Sequence, residues 1–232
     1  MKEKSKFDPW TTRPITVMEN VRSLRQSLLM SCFAVALLFL PVGFLAQENQ
    51  VPSGMRYYPL AVGNTWQYSV LSEGKVSTAS WKVVNKTSNA AGAVFGVWPF
   101  PAEADDEGMQ LQVTPDGLLE LSANFYLFQF PMRKGGSWKP KEHERQFSLL
   151  SEGDPCTVGK FTFQMCAVVQ DDDKEANLRT VTTYAYDVGP VRYEYYKWVN
   201  ESFEKEPTQT LKIVSYSLRS SRGHVAHPGA TK

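Results

Sequence analysis

The 232-residue chain has few cysteines and histidines, two residue types that build many catalytic and metal centres. It contains three cysteines and three histidines, and it has no G-x-S-x-G elbow, no P-loop and no G-x-G-x-x-G sequence. These absences argue against the common hydrolase, kinase and dehydrogenase sites. His143, His224 and His227 lack the three or four fixed ligands that a zinc site needs. We therefore predict no metal and no cofactor, and we assign no catalytic residue.

An excess of charge of one sign is also missing. The chain has 25 basic and 24 acidic residues, which gives a net charge of +1. The basic surplus lies in residues 1–46, so residues 47–232 hold 19 basic and 21 acidic residues. Nucleic-acid binding needs a basic stripe that neutralises phosphates. We therefore expect no nucleic acid among the partners of this protein.

A long apolar run occurs only near the N-terminus. Residues 28–46 carry no charge and follow a basic leader, residues 1–27, which we predict to be cytoplasmic. The densest stretch, Leu28–Leu40, has the length of a signal-peptide apolar region, whereas the whole segment is just long enough to span a bilayer as an anchor. Both alternatives place the chain after residue 46 outside the cytoplasm. It is periplasmic or secreted after cleavage, or it is held in the inner membrane by residues 28–46.

From residue 50 onward, short runs of alternating apolar and polar residues are separated by Gly, Pro, Asn and Asp. Trp66, Tyr68 and Val70 alternate with polar neighbours, which is typical of an antiparallel strand with one buried face. About ten such runs occur, and none has the period of an amphipathic helix. We predict an all-β domain over residues 50–219, preceded by an N-terminal hydrophobic helix and followed by a disordered tail over 220–232.

One sequence pattern occurs twice. Residues 59–66 and 131–138 share the form P-[LM]-x-x-G-x-[ST]-W. Proline and glycine favour a bend, and the tryptophan would be the first inward residue of the next strand. The repeat indicates either a duplication or a structural device used twice. We favour the second, because the flanking sequences do not align.

The same residues resemble a group of exported bacterial domains that are hypothetical or lipoprotein-like. The group's opening motif, Y-[YF]-P-L-x-x-G-x-x-W-x-Y, fits residues 57–68, and its late motif, Y-A-x-x-V-G-x-V-[KR]-x-E, fits residues 184–194. The resemblance implies a single curved antiparallel sheet or open half-barrel, and it implies no activity. The positions that we take as structural motif residues are Pro59, Gly63, Trp66, Tyr68 and Gly189.

Cys156 and Cys166 are the two thiols that follow the leader. In an oxidising compartment two such thiols often pair. Pairing needs Cα atoms within about 7 Å, which calls for a turn centred near Phe161, whereas Gly159 is the better turn residue. A disulfide and two separate, half-buried thiols both remain open from the sequence.

The late motif also concentrates tyrosines. If residues 187–190 form a hairpin loop, Tyr184 and Tyr186 lie beside Tyr193 and Tyr195 on one face of the sheet. Cross-strand aromatic pairs commonly only stabilise a sheet. The functional alternative is a concave aromatic surface for a lipid, glycan or peptide, where phenolic hydroxyls suit an amphipathic ligand.

Three classes of function remain. The first, which we favour, is a non-enzymatic exported domain that binds a lipid-like ligand or an envelope partner. The second is a structural or accessory envelope domain without a small ligand, and the third is a hydrolase whose site is built from scattered residues. A deep apolar pocket would favour the first class, and a filled core with an apolar outer patch would favour the second. A cleft that holds His143 or clustered carboxylates would favour the third.

Overall fold

The computed structural model describes residues 53–99, 108–141, 143–219 and 225–226. The leader, the apolar segment with its predicted helix and most of the predicted tail therefore lie outside the described residues. The chain divides after Ala46, and every described residue belongs to the second unit. Within the described ranges, no helix has the length and apolar character needed to cross a membrane.

The described residues form strands and one short 3-10 helix, η1, and contain no α-helix, which confirms the all-β prediction. Three strands, β7, β12 and β14, are only two residues long. The bounds of the elements are η1 Ser53–Tyr57, β1 Thr65–Ser72, β2 Lys75–Asn89, β3 Gly92–Pro99, β4 Met109–Thr114, β5 Gly117–Glu120, β6 Phe125–Gln129, β7 Ser137–Trp138, β8 Arg145–Val158, β9 Phe161–Asp173, β10 Leu178–Ala185, β11 Gly189–Val199, β12 Ser202–Phe203, β13 Gln209–Arg219 and β14 Val225–Ala226.

One antiparallel sheet runs in the order β6-β5-β4-β3-β2-β1-β13-β11-β10-β9-β8-β7. Strands β1 to β6 form one meander, and β7 to β11 form a second. The late strand β13 lies between β1 and β11 and joins the two meanders. Each meander is built from neighbours in sequence, whereas the junction is built from residues far apart in the chain.

The two ends of this strand order approach each other, so the sheet is curved and nearly closed. The indole Nε1 of Trp138 in β7 donates to the carbonyl of Tyr126 in β6 over 2.7 Å. The rings of Phe125 and Phe147 lie 5.2 Å apart across the same gap. Side chains rather than a strand ladder therefore bridge the gap, and the predicted curved sheet is confirmed.

The repeated sequence pattern makes the same contacts at the start of both meanders. In the first copy, Gly63 N–H donates to Val83 O, and Val83 N–H donates to Asn64 O. In the second copy, Gly135 and Gly136 exchange the equivalent pair with Leu149. Asn64 and Gly136 also donate to the carbonyl three residues earlier, and both tryptophans donate their indole N–H to a carbonyl. These matched bonds show that both copies form the same bend, as either a duplication or a reused device would.

Strand register arranges the inner face in rows across the sheet. A deep row is buried or half-buried and consists of Val70, Leu211, Tyr193, Thr182, Val169 and Leu149. The next row mixes polar and aromatic residues: Ser72, Gln209, Tyr195, Thr180, Asp171 and Phe147. The last row consists of Lys197, Leu178, Asp173 and Arg145. We call the end of the sheet formed by this last row and the β1–β2 turn the mouth.

Candidate functional site

The two predicted motifs contact each other at the end of the sheet opposite the mouth. Trp66 Nε1 donates to Val188 O over 2.6 Å, and the Tyr68 hydroxyl donates to Pro190 O over 2.8 Å. Gly189 lies between these carbonyls with φ +107°, and a Cβ atom there would lie 2.9 Å from Trp66 Nε1. The positive φ and the close approach of the indole together require glycine. These motif residues therefore have a structural role.

Asn64 completes this end of the sheet and is a residue that sequence reasoning missed. Its side chain is 1% exposed; Nδ2 donates to Pro59 O over 2.6 Å, and Oδ1 accepts from Arg219 N over 2.7 Å. It thereby ties the bend before β1 to the end of β13. Nothing in the sequence pattern marks position 64, because both hydrogen-bonding partners are backbone groups.

Three of the four predicted tyrosines lie together inside the sheet. The ring of Tyr184 is 4.5 Å from Phe128 and 6.0 Å from Tyr58. Tyr193 is stacked on Tyr195 with centroids 6.4 Å apart and meets Tyr68 edge-on at 5.7 Å. We call Tyr58, Tyr68, Tyr184, Tyr193 and Tyr195 the tyrosine cluster.

Tyr186 lies apart from the tyrosine cluster, which corrects the expected grouping of four. Strand β10 ends at Ala185, so strict alternation stops before Tyr186. Its ring contacts Tyr57 at 5.2 Å, and the Arg56 guanidinium lies 4.2 Å above it. Arg56 also forms an ion pair with Asp187. Tyr186 therefore belongs to the packing of η1 at the motif end.

Burial controls the chemistry of the tyrosine cluster. Removal from water raises the pKa of Tyr58, Tyr68, Tyr184 and Tyr193 well above the ordinary phenol value, and for Tyr68, Tyr184 and Tyr193 neighbouring phenols add to this rise in pKa. These phenols are neutral at physiological pH. The cluster can offer apolar ring faces and hydroxyl groups to a ligand, but it holds no general base.

A cavity of about 560 Å³ opens at the mouth. The Tyr195 ring forms part of its wall, and Thr208 fixes this segment because its hydroxyl donates to Tyr195 O over 3.0 Å. The other lining residues are Ser72, Glu73, Leu178, Lys197 and Gln209. The cavity thus joins the outer member of the tyrosine cluster to a rim with one basic and one acidic side chain.

A partly buried ion pair lies on the inner face beside the mouth. Arg145 Nε donates to Asp171 Oδ1 over 2.7 Å, and Arg145 Nη1 lies 3.6 Å from Asp173 Oδ2. The guanidinium also covers the Phe125 ring at 4.2 Å. Desolvation outweighs the attraction of Arg145 and raises the pKa of Asp171. Arg145 thus faces two carboxylates on the inner face, and its charge balances only one of them.

A separate cleft of about 310 Å³ contains His143. The nearest acidic partner of His143 is Glu175, at 3.9 Å, and both side chains are exposed. The described lining of this cleft contains no serine, threonine, cysteine or tyrosine that could act as a nucleophile. In addition, no group of three or more His, Cys, Asp or Glu in the described ranges is placed to hold a metal. The cleft thus holds His143 together with Glu144 and Asp172, as the hydrolase alternative expects, but its described lining supplies no hydroxyl or thiol nucleophile beside the imidazole.

Cys156 and Cys166 are joined by a disulfide, with Cα atoms 6.0 Å apart. The β8–β9 turn does occur at Gly159, since Val158 pairs with Phe161. In a regular hairpin with its turn at Gly159, Cys156 would not lie opposite Cys166. A β-bulge between Asp154 and Cys156 shifts the pairing and brings the two cysteines close together. The bulge therefore lets a turn at Gly159 coexist with the bridge.

Alkylation followed by intact-mass measurement tests this bridge. Without reductant, we expect Cys156 and Cys166 to resist alkylation in denaturant, and with reductant each should take one alkyl group. Loss of a bridge that closes a loop of this size should lower the free energy of unfolding by about 3 kcal/mol. Equal masses with and without reduction would show that the two thiols are separate.

No protein-family model matches this chain, and no curated protein matches it. Among solved structures, it is similar to a Bacteroides fragilis protein described as exported and as having a YmcC-like fold, with 12% identity, a TM-score of 0.40, and coverage of 68% of this chain and 97% of that one. A Parabacteroides distasonis protein described as a lipoprotein shows 10% identity, a TM-score of 0.36, and coverage of 69% and 97%. At TM-scores this low, neither similarity carries a conclusion about function.

Proposed function

We propose that this protein is a non-enzymatic exported domain that binds a small amphipathic ligand at the mouth. The observation that carries the proposal is the cavity of about 560 Å³ with Tyr195 in its wall. Sites for small molecules commonly enclose 300–1,000 Å³ and combine an apolar wall with a few polar groups. The mouth cavity matches the size, and Leu178 and Tyr195 give it an apolar part among five polar or charged lining residues.

The rows of the inner face support an amphipathic rather than a wholly apolar ligand. Tyr195, which stacks on the deeper Tyr193, gives an aromatic surface on the inner side of the cavity. Lys197 and Glu73 give opposite charges at its rim. An apolar group would replace water against the rings, while a polar head would stay near the charged side chains.

Export rests on two separate features. The uncharged segment 28–46 behind a basic leader is typical of a signal peptide or anchor. The Cys156–Cys166 disulfide fits an oxidising compartment, since cytosolic thiols are kept reduced.

An accessory domain without a small ligand is the second candidate. The deep interior contains large apolar side chains, among them Trp66, Leu111 and Leu118, which are fully buried. Leu71 and Val76 face each other on the β1–β2 hairpin and are 48% and 72% exposed. A buried apolar core and an exposed apolar pair are the features that favour a partner-binding or structural role.

Substitution of Tyr195 tests ligand binding at the mouth. We expect the chain, purified from the cell envelope in an amphipathic polymer without detergent, to bind a fluorescent fatty acid or lysophospholipid. Tyr195→Ser should weaken binding roughly tenfold, because it removes an apolar contact worth about 1.4 kcal/mol. Binding is measured by fluorescence titration, with native mass spectrometry to detect lipids that co-purify.

Tyr196→Ser is the matched control. Tyr196 is adjacent in sequence, but it lies on the opposite face of β11, where it pairs with Arg179. This variant should bind both probes as the unchanged chain does. Absence of probe binding and of co-purified lipid, or equal losses in the two variants, would refute a ligand site at the mouth.

A further inference from the structure

A second, smaller cleft lies where two turns meet near the mouth. It has a volume of about 250 Å³ and is lined by Asp173, Lys174, Asn177, Trp198 and Phe203. We call it the Trp198 cleft. Trp198 is 43% exposed although it belongs to a strand, so this large aromatic surface is left open to solvent.

The aromatic wall of the Trp198 cleft is held in place from several sides. The rings of Trp198 and Phe203 meet edge-on with centroids 4.7 Å apart. Arg179 Cζ lies 4.0 Å above the Phe203 ring, and Arg179 itself is fixed by two hydrogen bonds to Asp172, at 2.6 and 2.9 Å. The open aromatic surface is therefore pre-organised, which lowers the entropy cost of binding a ligand.

The backbone brings the polar groups of the cleft to this wall. Trp198 N–H donates to Asn177 O over 2.9 Å, which joins the β11–β12 hairpin to the β9–β10 turn. The hairpin turns through Asn200 and Glu201, both with positive φ, as a two-residue turn between paired strands requires. The side chains of Lys174 and Asn177 form no hydrogen bond or ion pair with another described residue, so both can serve a ligand.

We propose that the Trp198 cleft binds one pyranose ring of a neutral glycan. A pyranose has an apolar face of C–H groups, which the negative face of an indole attracts, and a rim of hydroxyls. Lys174 and the Asn177 amide can bond those hydroxyls. The lining holds one acidic and one basic residue, Asp173 and Lys174, so it carries no net charge that would select an ionised headgroup, and Asp173 also faces Arg145 at 3.6 Å. Its volume suits a single ring rather than an acyl chain, which distinguishes it from the mouth cavity.

Saturation-transfer NMR on the full chain with cellotriose, chitotriose and maltotriose tests this site. We expect at least one trisaccharide to bind, and Trp198→Ala to weaken its binding at least tenfold. Trp198→Phe should keep most of the affinity because it retains an aromatic face, and Asn177→Ala should weaken binding several-fold through loss of a hydrogen bond. Circular dichroism confirms that each variant is folded.

Two controls separate this cleft from other surfaces. Leu71→Ala removes an exposed apolar side chain from the outer face and should leave glycan binding unchanged. Tyr195→Ser should also leave glycan binding unchanged, because Tyr195 lines the mouth cavity and not the Trp198 cleft. The two binding proposals can therefore be refuted independently of each other. The proposal is wrong if no trisaccharide binds or if Trp198→Ala binds the trisaccharide equally well. It is also wrong if N-acetyl-tryptophanamide, a probe for a peptide ligand, or lipid vesicles, a probe for a membrane, occupy the cleft in place of the sugars.

Discussion

Replacing Gly189 with alanine is expected to lower the free energy of unfolding by about 4 kcal/mol, which is at the upper end of single-residue effects. The residue has φ +107°, and a Cβ atom would lie 2.9 Å from Trp66 Nε1 and 3.1 Å from Cε2. The indole must move, although it is fully buried and bonds the neighbouring Val188 carbonyl. The variant thus combines backbone strain with overpacking and a broken buried hydrogen bond. Urea unfolding followed by circular dichroism measures the loss.

Gly153→Ala is the matched control for this effect. Gly153 also has a positive φ, +83°, but nothing lies within 4 Å of a Cβ atom placed there. Its substitution should cost only the left-handed backbone penalty, about 1–2 kcal/mol. Equal losses for the two alanine variants would mean that the contact with Trp66 contributes nothing to stability.

Replacing Arg145 with leucine should cost about 3–5 kcal/mol at neutral pH, because the substitution leaves a partly buried carboxylate without its partner. Asp171 would keep its desolvation and lose the 2.7 Å bond from Arg145 Nε. The double variant Arg145→Leu/Asp171→Leu should recover most of the loss, since the more buried of the two carboxylates beside Arg145 is removed with it and only the more exposed Asp173 is left unpaired. Urea unfolding measures this recovery. If stability is recovered, the loss in Arg145→Leu came from the unpaired Asp171 carboxylate; if it is not, the loss came from the missing contact between Arg145 and Phe125.

The cost of Arg145→Leu should also depend on pH. Burial already raises the folded-state pKa of Asp171, so its contribution to stability is full below its unfolded pKa and falls as pH rises through the folded pKa. Removing Arg145 raises the folded pKa further. The stability difference between variant and unchanged chain should therefore be small below about pH 4, the ordinary value for aspartate, and widen toward neutral pH. A difference independent of pH would exclude this explanation.

Local pattern was enough to predict the strands but not the closure of the sheet. The alternation of Trp66, Tyr68 and Val70 predicts β1 because each residue faces the core in turn. The bridge from Trp138 to the Tyr126 carbonyl depends on where two chain segments meet after the whole sheet has curved. No periodic signal encodes such a contact, since its acceptor is a backbone carbonyl that any residue supplies.

The candidate site was predicted in part, and its errors have a common cause. Alternation placed Tyr193 and Tyr195 correctly on one inner face, because β11 continues past both of them. It failed at Tyr186 because β10 ends one residue earlier, and it left the pairing of Cys156 open because a bulge shifts the register. The Trp198 cleft was not predicted, since its polar residues come from a different turn. Simple periodicity is informative only while a strand stays regular.

The position of β13 has a consequence for how the chain reaches its native state. This strand separates β1 from β11, so the edges of both strands stay unpaired until residues 209–219 are available. Pairings this distant in sequence slow folding, and open strand edges in the meantime invite aggregation. A chain emerging from a membrane with its N-terminus first would have two local meanders but no completed sheet until its last strand arrived. Late completion would therefore keep an exported chain open enough to pass through a membrane channel before the sheet forms.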